Sequence, residues 1–374
     1  MIEIEPIDQQ IVDNMIEKND RFFTRKRTLI AILIFITLLV IGLFIRFLYP
    51  RSVIAPEISQ ADLVGNHEEL FQSEPTPFAF EELTIPYLRN REYVSNISDL
   101  TQISSNQSYI SYLTSYDSDG LNVNGLITIP KTQMPVGGFP AIVFVHGYIP
   151  PTLYRTENNY ASYVDYFAKR GFVVFKVDLR GHDKSEGQAD GAYYDSGYVI
   201  DVLNAYSALQ EMDLVDSSRI GLWGHSMAGN VVFRALVVKK DIPKVVIWAG
   251  AVYTYSDFSE YGIDDNSYRP PLDDSQRRKK RQELFDLYGE FNPNSWFWSQ
   301  VPGTNYLDGV TGSLQVHHAV NDDVVNVGFS RGLMNILDNT QIEHELFEYS
   351  IGGHNIEGLS FSQAMQRSVD FLIE

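Results

Sequence analysis

The run Gly224-His225-Ser226-Met227-Ala228-Gly229 carries the spacing G-x-S-x-G between a strand pattern and a helix pattern. The chemistry this permits is nucleophilic. A serine hydroxyl can attack a carbonyl once a base takes its proton and a carboxylate orients that base. The glycines have a steric reason: the backbone turns so tightly at the serine that its neighbours must be small. The same turn puts the Met227 N–H at a helix start, where it can face developing negative charge.

A base should follow the nucleophile, in the order serine, acid, histidine. His317, His318, His344 and His354 follow Ser226. His317 and His318 fall inside an apolar strand pattern, and His344 begins one. His354 lies in Ile351-Gly352-Gly353-His354-Asn355, a glycine loop after the last strand pattern, and is the candidate base. The acid belongs after the strand SLQVHHA, in Asn321-Asp322-Asp323-Val324-Val325. Asp322 and Asp323 are both candidates, since a turn favours Asp in any case. A second oxyanion donor is expected after the strand AIVFVH, in His146-Gly147-Tyr148. Gly147 lets that loop pass close to a substrate, and the Tyr148 N–H is the candidate donor beside that of Met227. His146, and His182 in Asp178-Leu179-Arg180-Gly181-His182, precede the nucleophile and read as structural.

The elements that must position these groups are legible as short apolar runs. AIVFVH (141–146), FVVFKVDL (172–179), RIGLWGHS (219–226), KVVIWAG (244–250), SLQVHHA (313–319) and HELFEYS (344–350) suit strands buried on both faces. Helix patterns fall between them near 159–170, 195–210, 227–239, 327–339 and 357–373. This alternation predicts an α/β fold with a doubly wound, mostly parallel sheet, and the candidate groups sit beyond the carboxyl ends of its strands. Residues 78–130 read as an N-terminal β extension, with a hairpin signalled by Asp117-Ser118-Asp119-Gly120 before LNVNGLI. The catalytic domain is expected over 131–374. Its rhythm breaks at 251–312, an aromatic-rich insertion that reads as a lid or substrate wall. The basic run Arg277 to Arg281 within it reads as the solvated face of a helix.

From about residue 105 onward the sequence resembles the catalytic domain of the prolyl-oligopeptidase (S9) group and the related dienelactone-hydrolase-like esterases, within the α/β-hydrolase superfamily. The resemblance rests on SYDSDGLNVNGLITIP, VFVHGY, DLRGHDKSEG, GHSMAG, and HHAVNDDVV with GGH. It implies the α/β-hydrolase fold and a Ser-Asp-His triad. The family's acid motif H-G-x-x-D-x-x-V-P, aligned on His318, assigns the acid to Asp322. Ala319 stands in place of the motif's glycine and Asn326 in place of its proline. Oligopeptidases of this group carry a large β-propeller before the catalytic domain, and the roughly 50 residues between stalk and hydrolase leave no room for one here.

Composition narrows the partners. The formal net charge of -19 repels phosphate backbones, so nucleic acid is an unsuitable partner. The chain has no cysteine, which excludes disulfides, zinc–thiolate sites and cysteine nucleophiles. No HExxH motif or glycine-rich phosphate loop occurs, so no metal or organic cofactor is expected. Leu29 to Ile45 is an uncharged, almost wholly apolar run. With its flanks it suits a transmembrane anchor at 29–49, between a cytoplasmic tail (1–28) and a proline-bearing stalk (50–77). Lys18, Arg21, Arg25, Lys26 and Arg27 precede the span and Arg46 and Arg51 follow it. The positive-inside rule then puts the N-terminus in the cytoplasm and the hydrolase outside, on the cell membrane.

The sequence therefore predicts a membrane-anchored serine hydrolase that cleaves an ester or a short-peptide bond through an acyl-enzyme. The competing reading is a non-catalytic binding protein on the same fold.

Overall fold

Runs of Val, Ile, Phe and Trp with apolar side chains on both faces build the centre of one nine-stranded sheet. The computed structural model describes residues 77–189, 192–262 and 275–374, and of 275–277 only the backbone. The predicted tail and span, and all of the predicted stalk but residue 77, lie outside the described residues. Among the described residues no helix is long and apolar enough to cross a membrane.

The strands are β1 (Thr101–Ser105), β2 (Tyr109–Ser118), β3 (Leu121–Pro130), β4 (Phe139–Val145), β5 (Val173–Val177), β6 (Val215–His225), β7 (Lys244–Trp248), β8 (Ser313–Ala319) and β9 (His344–Tyr349). Their spatial order is β1-β2-β3-β5-β4-β6-β7-β8-β9. β1 to β3 form an antiparallel meander, and β3 pairs antiparallel with β5. From β5 through β9 every pairing is parallel. Asp119 and Gly120, at φ 58° and 75°, make the two-residue turn of the β2–β3 hairpin. Positive φ at both central residues matches the twist of the flanking strands.

The helices are α1 (Ile85–Arg89), α2 (Ala161–Ala168), α3 (Gly197–Gln210), α4 (Met227–Val238), α5 (Tyr255–Tyr261), α6 (Ser275–Tyr288), α7 (Gly328–Leu337) and α8 (Leu359–Ile373). They cover both faces of the sheet. Val143, Phe175, Leu222, Val245 and Ile247 pack on the face that holds α3, α4 and α7. The alternate residues Ile142, Phe144, Val174, Trp223 and Val246 pack on the face that holds α2 and α8. The period-2 alternation of a strand thus feeds two cores. α4 is buried along its whole length, so the helix behind Ser226 is held from all sides.

The insertion at 251–312 contains α5, α6 and two 3₁₀ turns, Trp298–Gln300 and Gly303–Asn305. Among the described residues, several of its aromatic side chains pack on one another. Tyr255, Phe297 and Trp298 are buried in a third apolar cluster with Leu83, Leu284 and Val301. Tyr288 stacks on Phe297 with centroids 3.8 Å apart. This part of the aromatic density holds the insertion together. Trp296 stays exposed. Within α6, Arg278, Lys279 and Arg281 are exposed, while Lys280 pairs with Asp195 at 2.6 Å.

Candidate active site

Ser226 stands between the end of β6 and the first residue of α4, with φ 56° and ψ -121°. A non-glycine residue in such a conformation is strained, and strain of this kind collects at functional sites. The turn is pinned on both sides: the Ser226 N–H donates to Trp248 O across 2.8 Å, and the Gly229 N–H donates to Ser226 O at 2.8 Å. The flanking glycines are required by close approach. A Cβ at Gly224 would lie 2.7 Å from Ala228 O, and one at Gly229 would lie 2.6 Å from Gly250 Cα. Met227 is buried and opens α4, so its N–H lies at the helix start as the motif predicts.

The acid and base come from the loops after β8 and β9. His354 Nδ1 donates to Asp322 Oδ2 across 2.8 Å. Asp322 Oδ1 accepts the Val324 and Val325 N–H groups, both at 2.9 Å, which locks the carboxylate in its turn. His318 Nε2 approaches the same Oδ2 at 3.2 Å, and its Nδ1 faces Ser330 Oγ at 2.7 Å. Burial pushes the Asp322 pKa up, but the hydrogen bonds from His318 and His354, with the Val325 N–H, outweigh it. The carboxyl is held well below the usual carboxylate range. Asp323, its sequence neighbour, is exposed. Of the two aspartates that the residues leave open, Asp322 is the one in contact with His354. The two loops are also tied by Gly353 N–H donating to Asn321 Oδ1 at 3.0 Å.

His354 reaches the serine turn through its backbone. His225 Nε2 bonds His354 O at 2.9 Å, and the two imidazole rings lie 4.7 Å apart. His225, the residue before Ser226, is thus bonded to the backbone of the histidine that meets Asp322. No hydrogen bond joins Ser226 Oγ to His354 in this structure, and in free enzymes such bonds are often long until substrate arrives.

The loop after β4 carries Gly147 and Tyr148. The Gly147 N–H donates to Tyr160 Oη at 2.9 Å. A Cβ at Gly147 would sit 2.8 Å from Tyr160 Oη and 3.1 Å from His225 Nδ1, so only glycine lets this loop lie against the serine turn. Tyr148 follows it, half-buried and packed against the larger core. His146 is fully buried under the loop, against Gly147 O at 2.7 Å and Asp178 O at 3.1 Å, and burial lowers its pKa to about 3. His182 packs on it at 4.8 Å. Both are in structural positions, as their place in the sequence suggests.

A buried polar group supports the same loop. Tyr154 Oη donates to Asp178 Oδ1 at 2.8 Å and Thr156 Oγ1 bonds Asp178 Oδ2 at 2.5 Å. Lys176 Nζ donates to the Thr156 and Asn159 carbonyls. Burial raises Asp178 to about 6 and lowers Lys176 to about 8. Sequence reasoning did not single out His225, Tyr160, His318 or Lys176. Only His225, inside the serine motif, and His318, inside the acid motif, carried a signal that could have found them.

A profile of the alpha/beta hydrolase fold matches residues 140–296. Dipeptidyl peptidase 8 of Mus musculus is 27% identical over 166 residues, 42% of this chain and 18% of that protein. Prolyl endopeptidase FAP of Bos taurus is 24% identical over 239 residues, 63% of this chain and 29% of that protein. The chain thus spans less than a third of the length of these curated relatives. Among solved structures, acetyl xylan esterase 1 from Thermoanaerobacterium sp. JW/SL YS485 superposes with a TM-score of 0.55. It is 18% identical, over 79% of this chain and 94% of that one, a likeness of fold. Strand order, the serine turn after β6 and these matches together show the α/β-hydrolase fold in a chain similar to peptidases and esterases.

Proposed function

We propose that the protein is a serine hydrolase with Ser226 as nucleophile, His354 as general base and Asp322 as the carboxylate that orients it. The reading rests above all on the 2.8 Å bond from His354 Nδ1 to Asp322 Oδ2, made beside a serine in a strained strand-to-helix turn. With Nδ1–H held by Asp322, the His354 Nε2 lone pair is left to take the serine proton. Ser226 Oγ then attacks the carbonyl carbon and forms the acyl-enzyme. His354 passes the proton to the departing alcohol or amine. A water, deprotonated by the same histidine, releases the acid and restores Ser226. The N–H groups of Met227 and Tyr148 are the proposed donors to the tetrahedral oxyanion.

The substrate class is an ester or a short peptide. Peptidases among the sequence relatives and an esterase of the same fold support keeping both, and fold alone does not choose. We propose further that residues 29–49 anchor the chain in the cell membrane with the hydrolase outside the cytoplasm, supported by the apolar run and the basic residues before it. Labelling by a fluorophosphonate tests the chemistry. Modification of Ser226 supports the reading, and an unlabelled, folded protein favours a non-catalytic binding role. A panel of acyl esters and aminoacyl amides then separates esterase from peptidase.

A further inference from the structure

Tyr160 occupies an improbable place. It caps the N-terminus of α2 with φ 60° and ψ 19°, a left-handed conformation that a bulky aromatic adopts only under constraint, although Asn158 and Asn159 next to it tolerate that region better. What the strain secures is the position of the phenol. Tyr160 Oη accepts the Gly147 N–H at 2.9 Å and lies 2.7 Å from His225 Nδ1. His225 Nε2 in turn bonds His354 O at 2.9 Å.

The proton positions along this chain follow from the acceptors. A carbonyl oxygen can only accept, so His225 carries its proton on Nε2 and donates it to His354 O. Burial lowers the His225 pKa to about 3, so the ring is neutral and Nδ1 is bare. Tyr160 O–H must therefore donate to Nδ1, with an oxygen lone pair left for the Gly147 N–H. The phenol proton thus satisfies the bare Nδ1 of His225 and reinforces the Nε2–H tautomer that the bond to His354 requires.

We infer that Tyr160 is a positioning residue that ties three otherwise separate parts of the site, the oxyanion loop at Gly147, the serine turn at His225 and the base loop at His354, through a single directed hydrogen-bond chain. This rests on the serine-hydrolase reading above. The chain joins loops that follow β4, β6 and β9, and each step has one donor and one acceptor. Without the phenol, the buried Nδ1 of His225 is left without a donor and the Gly147 N–H loses its acceptor. Displacements of about 1 Å at such a site are enough to cost on the order of 100-fold in rate.

Tyr160→Phe tests this while keeping the ring that packs on Phe144 at 5.5 Å and Tyr163 at 5.3 Å. With a small activated ester, kcat should fall by about 10- to 100-fold and KM should move by less than about threefold, since binding surface is untouched. Nitrogen-15 NMR of the histidine rings should show His225 with its proton on Nε2 in both proteins and its bare Nδ1 hydrogen-bonded only in the native one, so that the Nδ1 resonance shifts in the variant. A tyrosine that served packing alone would not move that signal. Unchanged kcat, or an unchanged His225 Nδ1 resonance, overturns the inference. Fluorophosphonate labelling of the native protein is run alongside. If Ser226 is labelled and Tyr160→Phe is indifferent, the positioning role alone is lost. If the native protein is not labelled, the serine-hydrolase reading fails and this inference with it.

Discussion

His354 Nδ1 and Asp322 Oδ2 meet at 2.8 Å although 32 residues separate them in sequence. The contact joins two loops that leave adjacent parallel strands, β8 and β9, at the same end of the sheet. Parallel pairing places the two loops side by side, and the Gly353–Asn321 bond holds them there. The pair therefore depends on sheet register more than on either loop alone.

The first prediction follows from that contact. Asp322→Asn should lower kcat by about 10³- to 10⁴-fold, because an amide in that place favours the wrong imidazole tautomer. Asp323→Asn, at an exposed position, should change it by less than about twofold. Steady-state kinetics on one activated ester measures both, and a reversed ranking would assign the role to Asp323.

Replacing the nucleophile should separate folding from turnover. Ser226→Ala is expected to abolish fluorophosphonate labelling and reduce kcat by about four to six orders of magnitude. Its thermal midpoint should equal or exceed that of the native chain, because a strained active-site residue has lost its function but not its packing. Activity close to native would remove Ser226 from the mechanism.

Gly147→Ala probes the close approach of the β4 loop to the serine turn. The added methyl carbon would stand 2.8 Å from Tyr160 Oη and 3.1 Å from His225 Nδ1. The loop must shift, so kcat/KM should drop at least about 10-fold at a stability cost of about 1–3 kcal/mol. Calorimetry beside kinetics decides it, and a silent variant would mean the loop moves freely.

Acid should destabilise the fold through its buried neutral histidines. Burial lowers His146, His225 and His317 to about 3 each. Their folded values lie below the unfolded ~6.5, so the unfolded chain binds protons first. The stability they contribute is complete above about pH 6.5 and is lost as pH falls toward 3. Asp178, raised to about 6, acts in the opposite sense: its contribution is present below about pH 4 and is lost as pH rises through 6. His317→Gln should therefore flatten the melting temperature between pH 4 and 6.5, and Asp178→Asn should steepen it. Equal slopes in all three proteins would contradict the assignment.

Topology is tested on intact cells. Under the proposed anchoring, added protease should remove residues 50–374 and leave an N-terminal stub, the orientation that basic residues before an apolar run favour. Protection of the hydrolase until the membrane is opened would reverse the orientation.

The parallel core was legible because its strands are short, apolar on both faces and punctuated by helices. The run AIVFVH, read as a strand at 141–146, is β4 at Phe139–Val145, and SLQVHHA is β8 without adjustment. The serine motif carried its own context, since it falls between a strand pattern and a helix pattern and its Gly224 answers to Ala228 O, four residues on. Tyr160 was not legible. It lies in a segment with an ordinary helix pattern, and its partners Gly147 and His225 are 13 and 65 residues away. The packing of the insertion was not legible for a related reason: aromatic content reports the area available for burial, and says nothing of whether a ligand or another aromatic covers it.

The third apolar cluster bears on where a working fragment can begin. Phe78 meets Trp296 at 4.8 Å, Ala79 O accepts from Tyr288 Oη at 2.7 Å, and Leu83 O accepts from the buried Arg234 guanidinium at 2.6 Å. Arg89 reaches Val237 O and Tyr306 O. The dozen residues from Phe78 to Arg89 thus clamp the far end of the nucleophile's helix to the insertion. A recombinant fragment cut at the first sheet strand would strip this clamp and strand the Arg234 guanidinium without its carbonyl. One that starts at residue 77 retains the clamp and should be the stable one of the two.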